Sequence, residues 1–591
     1  MKSPKNSSKT QKLKYGAALI LLCSLISGCA KRNVDSNAAD VIILNGRVYT
    51  YTWNDPSPEG APAANAPFQD GQWHPDAEAI AIKDDLIIAV GDNAKIEAFR
   101  GDNTTVIDAQ NGVVLPGLIE SHTHVEGIGR NAEQINLREA KNEEEAVALI
   151  AEHAQNVPKG EWIIGAGWDE GAWASNYPDL KLLSEKTPNH PVVMTSLHGF
   201  ALWCNKLALE KAGIDRNSKA PVGGEIVRDA AGNPTGLFMN RATSLVSGAV
   251  PAPTIEQLKR WVQIGLEEMA RSGFVSVHIA GVGTDLMQAL EELEAKKKLI
   301  LRVYAMISAR DESLMRKWMA RGPDKLNDSM LIVRSVKGHH DGALGSRGAR
   351  LLEDYADRPG HRGLSGADYG YNQDLVAEMI NAGFQAGVHA IGDAGNRETL
   401  DFFTEVYRNN PEAKNLRHRI EHAQIVHPDD FKRFGELKII ASMEPPHAVE
   451  DKAWAIDRLG AGRMVGAYAW RTLRKSDALL IFNSDLTGSD HSIFYGLHAA
   501  ITRRSKDLQP PEGWRMQEAV TPEEAVRAYT VWPAYASFME QESGSIAPGK
   551  WADLTIMDVD PHNLTIENAE KLFDGKILAT VVGGRVVYQN P

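Results

Sequence analysis

Leu115-Pro116-Gly117-Leu118-Ile119-Glu120-Ser121-His122-Thr123-His124 is an apolar run that ends in two histidines one residue apart. In a β-strand the side chains at i and i+2 share a face, so both imidazoles can reach one cation at the strand's C-terminal end. A lone His-x-His pair is commonly a pair of surface histidines, and the rest of the chain decides against that here. Lys337 ends the run Leu331-Ile-Val-Arg-Ser-Val-Lys337 and His389 ends Gly383-Phe-Gln-Ala-Gly-Val-His389. His422 ends Arg419-Ile-Glu-His422, and Asp485 follows Ala478-Leu-Leu-Ile-Phe-Asn-Ser484. Each closes a short apolar segment flanked by helical sequence. A (β/α)8 barrel builds its active site from the C-terminal ends of several strands, which requires this pattern.

From about Val114 to Ala534, strand-like runs alternate with helical stretches such as Glu143–His153 and Thr254–Val262. Such alternation predicts a parallel sheet, and residues 114–535 are assigned to a TIM-like barrel. The stretch 165–253 is too long for one strand-to-helix connection and is expected to be an inserted subdomain covering the site. Outside the barrel, 40–50, 79–91, 551–558 and 577–588 read as strands. Residues 40–113 and 536–591 are therefore expected to form one small β-sandwich from both ends of the chain, with the Pro-, Ala- and Gly-rich loop 56–76 inserted in it.

The 591-residue chain has 43% hydrophobic and 24% charged residues, ordinary for a globular protein, so a large core is available. A net charge of -13 excludes nucleic acid as the expected partner, because no segment beyond the first few residues offers a basic face. Lys2, Lys5, Lys9, Lys12 and Lys14 precede an apolar stretch from Ala17 to Ile26 and then Ser27-Gly28-Cys29. That order describes a secretory signal over residues 1–28, too short for a comfortable bilayer span. Leu25-Ile-Ser-Gly-Cys29 resembles a bacterial lipobox, which implies lipid on Cys29, a polar tether over 29–39 and an exported protein. Ala30 after the cysteine implies the outer membrane, with the protein facing the periplasm. Cys204 would then be the one free thiol, expected as a buried apolar side chain with no disulfide available.

The order His-x-His, Lys, His, His, Asp resembles the amidohydrolase superfamily. The likeness extends to Trp162-Ile-Ile-Gly-Ala-Gly-Trp168-Asp169, to Lys337-Gly-His-His-Asp341-Gly-Ala-Leu-Gly-Ser-Arg347, to His389-Ala-Ile-Gly-Asp393 and to Ile546-Ala-Pro-Gly-Lys-Trp-Ala-Asp-Leu554. These motifs are similar to those of the N-substituted formamide deformylase branch, from about residue 40 to the C-terminus. The resemblance implies one or two divalent ions, with His122, His124 and Asp485 on one, His389 and His422 on another, and Lys337 bridging them. A free ammonium cannot ligate a cation, so Lys337 would have to be carboxylated. Histidine and carboxylate donors without cysteine make zinc the default, while manganese, iron or cobalt also fit. The implied reaction is hydrolysis of a C–N bond in a small molecule by metal-activated hydroxide, with Asp485 as the base that passes a proton to the leaving amine.

Trp168, Asp169, His198, Arg347 and His447 are the candidate substrate contacts. Arg347 has two readings, one with a substrate carboxylate and one with Asp341 or Asp393. His278 stands undecided at a strand end, and His339 and His340 are expected beside the ligands rather than among them. The chain departs from the resembled pattern at Glu120, Glu444 and Gly348, where Asp, Gln and Thr are usual; Glu120 is expected to keep the charge. Glu444 puts an extra carboxylate near the substrate face, so relatives' specificity does not transfer. Alternatives are a deaminase or cyclic-amide hydrolase on the same scaffold, and a binding lipoprotein without activity.

Overall fold

The run that opens at Val113 changes sheets at Gly117. Val113–Pro116 pairs with Leu554–Met557 and Arg47–Val48, whereas Leu118–Thr123 begins the barrel. A Cβ at Gly117 would lie 2.3 Å from Val275 Cγ2, so only glycine lets the chain pass between the two layers. The computed structural model describes residues 38–168, 173, 177–197, 199–325, 327–486 and 488–591. Asp169, His198 and the expected signal and lipid-bearing Cys29 lie outside the described residues.

The barrel strands are β1 (Leu118–Thr123), β2 (Phe274–Val282), β3 (Arg302–Ser308), β4 (Leu331–His339), β5 (Gln385–Ala390), β6 (Arg419–His422), β7 (Ile440–Met443) and β8 (Leu480–Phe482). All eight run parallel, each paired with the next in chain order. The Ser121 hydroxyl donates to the Phe482 carbonyl at 2.9 Å, and Thr123 bridges to Leu486, so the β8–β1 seam is nearly closed. Helices cover the outside. Ile255–Arg271 starts on a Thr254/Gln257 capping box and buries Leu258, Val262, Leu266 and Met269 at three- and four-residue spacing.

The two ends of the chain meet in the expected sandwich. One sheet holds Leu86–Gly91, Ala79–Lys83, Val41–Leu44 and Thr105–Asp108; the other holds Arg47–Val48, Val113–Pro116, Leu554–Met557, Ile577–Val582 and Arg585–Gln589. Ile43, Ile80 and Ile82 from the first pack with Val114, Leu554, Ile556 and Val581 from the second. The sandwich grips the N-terminal end of the barrel. Arg302, at the start of β3, forms a bidentate pair with buried Asp553 at 2.6 and 3.1 Å and stacks on Trp551. Thr555 Oγ1 donates to the Gly273 carbonyl ahead of β2. The C-terminal end is thereby left to the site.

The insertion begins earlier than residue 165. Its sheet runs Ile135–Asn136, Ile163–Trp168, Val192–Ser196, Ala201–Cys204, Pro234–Asn240 and Gly224–Arg228 in spatial order, and helix Glu143–Ala154 packs on it. The first strand has two residues, too short for periodicity to reveal, but Ile135 pairs with Gly165 and commits the segment to this sheet.

Candidate metal centre

The ends of β1, β4, β5 and β6 and the loop after β8 converge on a cavity of about 550 Å³. His122, His124, Lys337, His389, His422 and Asp485 all line it. The ligand atoms of His122, His124 and Asp485 lie within 4.8 Å of one another. Asp485 Oδ1 is 3.5 Å from His122 Nε2 and 3.4 Å from His124 Nε2. Lys337 Nζ lies 3.4 Å from His122 Nε2. The rings of His422 and His389 are 4.5 Å apart, and that of His422 is 5.2 Å from that of His122. The six residues expected as ligands are thus brought together.

Two of them sit on backbone that a side chain rarely adopts. His422 has φ 75° and Asp485 φ 48°. Strict alternation along β6 would point Glu421 and His422 to opposite faces, and the left-handed turn at His422 brings both to His122. At Asp485 the surroundings hold the turn: the amide of Ser484 donates to Glu120 Oε1 at 2.8 Å, that of Asp485 to Asn483 Oδ1 at 3.0 Å, and that of His124 to the Leu486 carbonyl at 2.8 Å. Strain held in this way at two converging side chains is characteristic of functional sites.

Glu421 is the residue the sequence reading overlooked. It is wholly buried, and its Oε2 lies 2.7 Å from His122 Nδ1, which leaves Nε2 facing the cavity. Arg419 neutralises it at 2.8 Å and in turn donates to the Ser121 carbonyl and to His278 Nδ1. His278 therefore belongs to this buried polar group behind the site. Its signal in the sequence was two charges at i and i+2 inside an apolar run. Glu444 plays a matching part for His422, whose Nδ1 lies 3.1 Å from Glu444 Oε2.

The electrostatics suit a cation. Burial first, and the Lys337 charge second, lower His122 to about 4, so its ring is neutral and able to ligate. Burial lowers Lys337 to about 8, against the pull of Glu421 and Asp485. His389 Nε2 and Asp485 Oδ1 are buried without a hydrogen-bond partner among the described residues. Burial lowers His389 as well, whereas Glu444 outweighs burial and raises His422; the neutral imidazoles of His122 and His389, a carboxylate and orphaned ligand atoms around one cavity fit a divalent ion. Burial pushes Glu120 up to about 8, against the Ser484 amide that donates to its Oε1.

The candidate substrate contacts are scattered. Trp168 does not face the cavity: it is fully buried in the insertion's core beside Trp173 and Trp203, its indole N–H donating to the Met194 carbonyl at 2.8 Å. Arg347 pairs with neither Asp341 nor Asp393 but with Asp357 at 2.9 Å. Asp341 instead accepts the amides of Ile391, Gly392 and Arg350. His447 lies 3.6 Å from Glu444; burial opposes its charge, but Glu444 outweighs burial and raises it to about 10. His339 lines the cavity and stacks on His389 at 5.4 Å, whereas His340 faces away to Glu398.

A parallel eight-stranded barrel with histidines and a carboxylate gathered at its C-terminal mouth is the architecture of a metal-dependent hydrolase. The chain belongs to the amidohydrolase family, whose profile matches residues 105–588. It is 29% identical over 564 residues to Protein LONG AFTER FAR-RED 3 of Arabidopsis thaliana, covering 93% of this chain and 92% of that one. It is 24% identical over 528 residues to N-substituted formamide deformylase of Arthrobacter pascens, covering 87% and 95%. Among solved structures, an uncharacterized metal-dependent hydrolase of Pyrococcus furiosus superposes with a TM-score of 0.67 at 25% identity, covering 88% of this chain and 99% of that one.

Proposed function

We propose that the protein hydrolyses a C–N bond, an amide, formamide or related linkage, in a small molecule. The observation that carries this reading is the approach of Asp485 Oδ1 to both His122 and His124 at the mouth of the barrel. The similarity to a formamide deformylase supports the bond type. His122, His124 and Asp485 would hold one divalent ion, zinc by donor chemistry, and His389 and His422 a second. When bound, such ions supply an activated water and polarise a carbonyl.

The chain's own residues do the rest. Glu421 and Glu444 keep the imidazoles of His122 and His422 turned with one nitrogen toward the cavity. Asp485, a carboxylate partly open to the cavity, is placed to take a proton from water and return it to the departing nitrogen. No carboxylate lies in ion-pair range of the Lys337 ammonium among the described residues, an arrangement that suits carboxylation of Nζ to bridge two ions. Lys337→Ala should abolish turnover, with short carboxylic acids restoring part of it; density for a bare ammonium beside two bound ions would remove the carbamate.

The bond type is tested by offering the metal-replete protein N-formyl, N-acyl and cyclic amides. Turnover confined to compounds without a hydrolysable C–N bond would overturn it. We also propose that the chain is exported and tethered by lipid on Cys29, supported by the basic, apolar and Ser-Gly-Cys order of residues 2–29. Cys29→Ala should release the protein from the membrane fraction; unchanged sedimentation with membranes would remove the tether.

A further inference from the structure

The cavity carries positive charge that the hydrolytic residues do not use. Arg310 follows β3 at the C-terminal rim of the barrel and lines the cavity. Its backbone is pinned there, because the amide of Ala309 donates to the Lys337 carbonyl at 2.9 Å and that of Arg310 to Ser308 Oγ at 3.3 Å. The guanidinium itself has no carboxylate partner among the described residues. Arg130, on helix Val125–Glu133, is a second cavity-lining arginine without an ion pair among the described residues. Arg310 is exposed at the rim, and desolvation lowers its pKa, with Tyr369 acting against that and Arg241 adding to it.

A neutral donor accompanies them. Tyr369 lines the same cavity, and its hydroxyl is buried with no hydrogen-bond partner among the described residues. Two glycines make room for it: a Cβ at Gly342 would lie 2.1 Å from that hydroxyl, and one at Gly348 2.7 Å. Burial and then the Asp341 carboxylate raise the phenol's pKa, with Asp368 adding to them, while the Arg310 and Arg241 charges pull it down. Asp341, beside Gly342 in the tyrosine's niche, has its oxygens taken by three backbone amides and forms no ion pair with Arg310 among the described residues. An orphaned hydroxyl donor and an unpaired guanidinium on one wall are what a carboxylate needs, since the guanidinium fork matches its two oxygens.

We propose that the substrate carries a carboxylate, seated on Arg310 and Tyr369 at the rim while its C–N bond lies at the metal centre. This deepens the hydrolase reading of the same cavity and rests on it. The binding probes are amino carboxylates of graded length and their primary amides, the amine products expected of formamide cleavage. Their N-formyl derivatives serve for turnover. At one chain length or more the acid should bind at least tenfold tighter than its amide by calorimetry, and kcat/KM for the formyl acid should exceed that for the formyl amide. Arg310→Met should collapse both ratios toward one, and Tyr369→Phe, which keeps the ring in its niche, should lower them partly. No preference for the acid at any length, or a preference that survives Arg310→Met, overturns the proposal. Equal turnover of formyl acid and formyl amide would do so with the hydrolase reading intact. Acid-selective binding without turnover of any member would instead fail the C–N hydrolysis reading alone.

Discussion

Glutamine at position 421 keeps the shape of the side chain that holds His122 and removes its charge. In the native protein Glu421 Oε2 lies 2.7 Å from His122 Nδ1, so the ring donates there and keeps Nε2 for the cavity. Glutamine offers one neutral oxygen in place of a carboxylate, and a hydrogen bond without charge assistance is roughly half as strong. Partners of this kind behind a metal-ligating histidine are worth about 10- to 100-fold in metal affinity, or about 1.4 to 2.7 kcal/mol. Both variants strip wholly buried Arg419 of its 2.8 Å counter-charge, but alanine also removes the oxygen that accepts from it and leaves a cavity, so alanine is harsher. Leaving one member of a buried pair unmatched costs about 3 to 5 kcal/mol of stability. The two variants therefore separate orientation from folding. Competition with a chromogenic chelator should show Glu421→Gln releasing zinc more readily, with a smaller drop in urea midpoint than Glu421→Ala. A Glu421→Gln protein that holds zinc as tightly as the wild type would refute the orienting role.

Asp560 joins the two ends of the chain, accepting from Tyr49 at 3.0 Å and from His562 Nδ1 at 2.9 Å. Burial would raise its pKa, but the His562 and Tyr49 contacts outweigh it and lower the carboxyl to about 2. A depressed carboxyl stabilises above its unfolded pKa near 4 and loses that contribution as pH falls toward 2, about 2 kcal/mol in all. Asp560→Asn should accordingly flatten the acid limb of the stability curve, and an unchanged limb would contradict it. A Cβ at Gly265 would lie 2.1 Å from the Val125 carbonyl, so Gly265→Ala should cost about 1 to 3 kcal/mol. Because Val125 follows His124, zinc affinity should fall as well; an unaltered urea midpoint would show that the helices yield. Cys204 is buried, its thiol pushed up by burial, and should resist a thiol reagent until urea unfolds the protein. Labelling in the native state would show that the insertion opens.

The fold and the gathering of the six candidate ligands were legible in the sequence because a barrel concentrates its chemistry at strand ends, where apolar runs stop on a polar residue. His122, Lys337 and His389 stand out for that reason. Glu421 was obscured by its position beside His422, since alternation allows only one of two neighbours to face inward and the break at His422 is a backbone torsion that no side chain announces. Trp168 misled in the opposite way. It stands beside Asp169 in a motif-like stretch, but the residue pairing of Ile163–Trp168 with Val192–Ser196 turns the indole into the insertion's own core. Arg347 found Asp357, a partner set by the loop that joins β4 to the next helix. Arg310 and Tyr369 carry no local signature, because what distinguishes them is that the fold brings them to one cavity without, among the described residues, a carboxylate on the guanidinium or a hydrogen-bond partner on the hydroxyl.

The central claim is that hydrolysis depends on a divalent ion held by His122, His124 and Asp485, and zinc titration of the metal-free protein measures it most directly. Turnover of the best N-formyl or N-acyl substrate should be absent without metal and rise to a plateau as zinc fills the site. Asp485→Asn should leave the rate near zero at every zinc concentration. Full turnover in protein shown to be metal-free, or in the Asp485→Asn variant, would contradict the account.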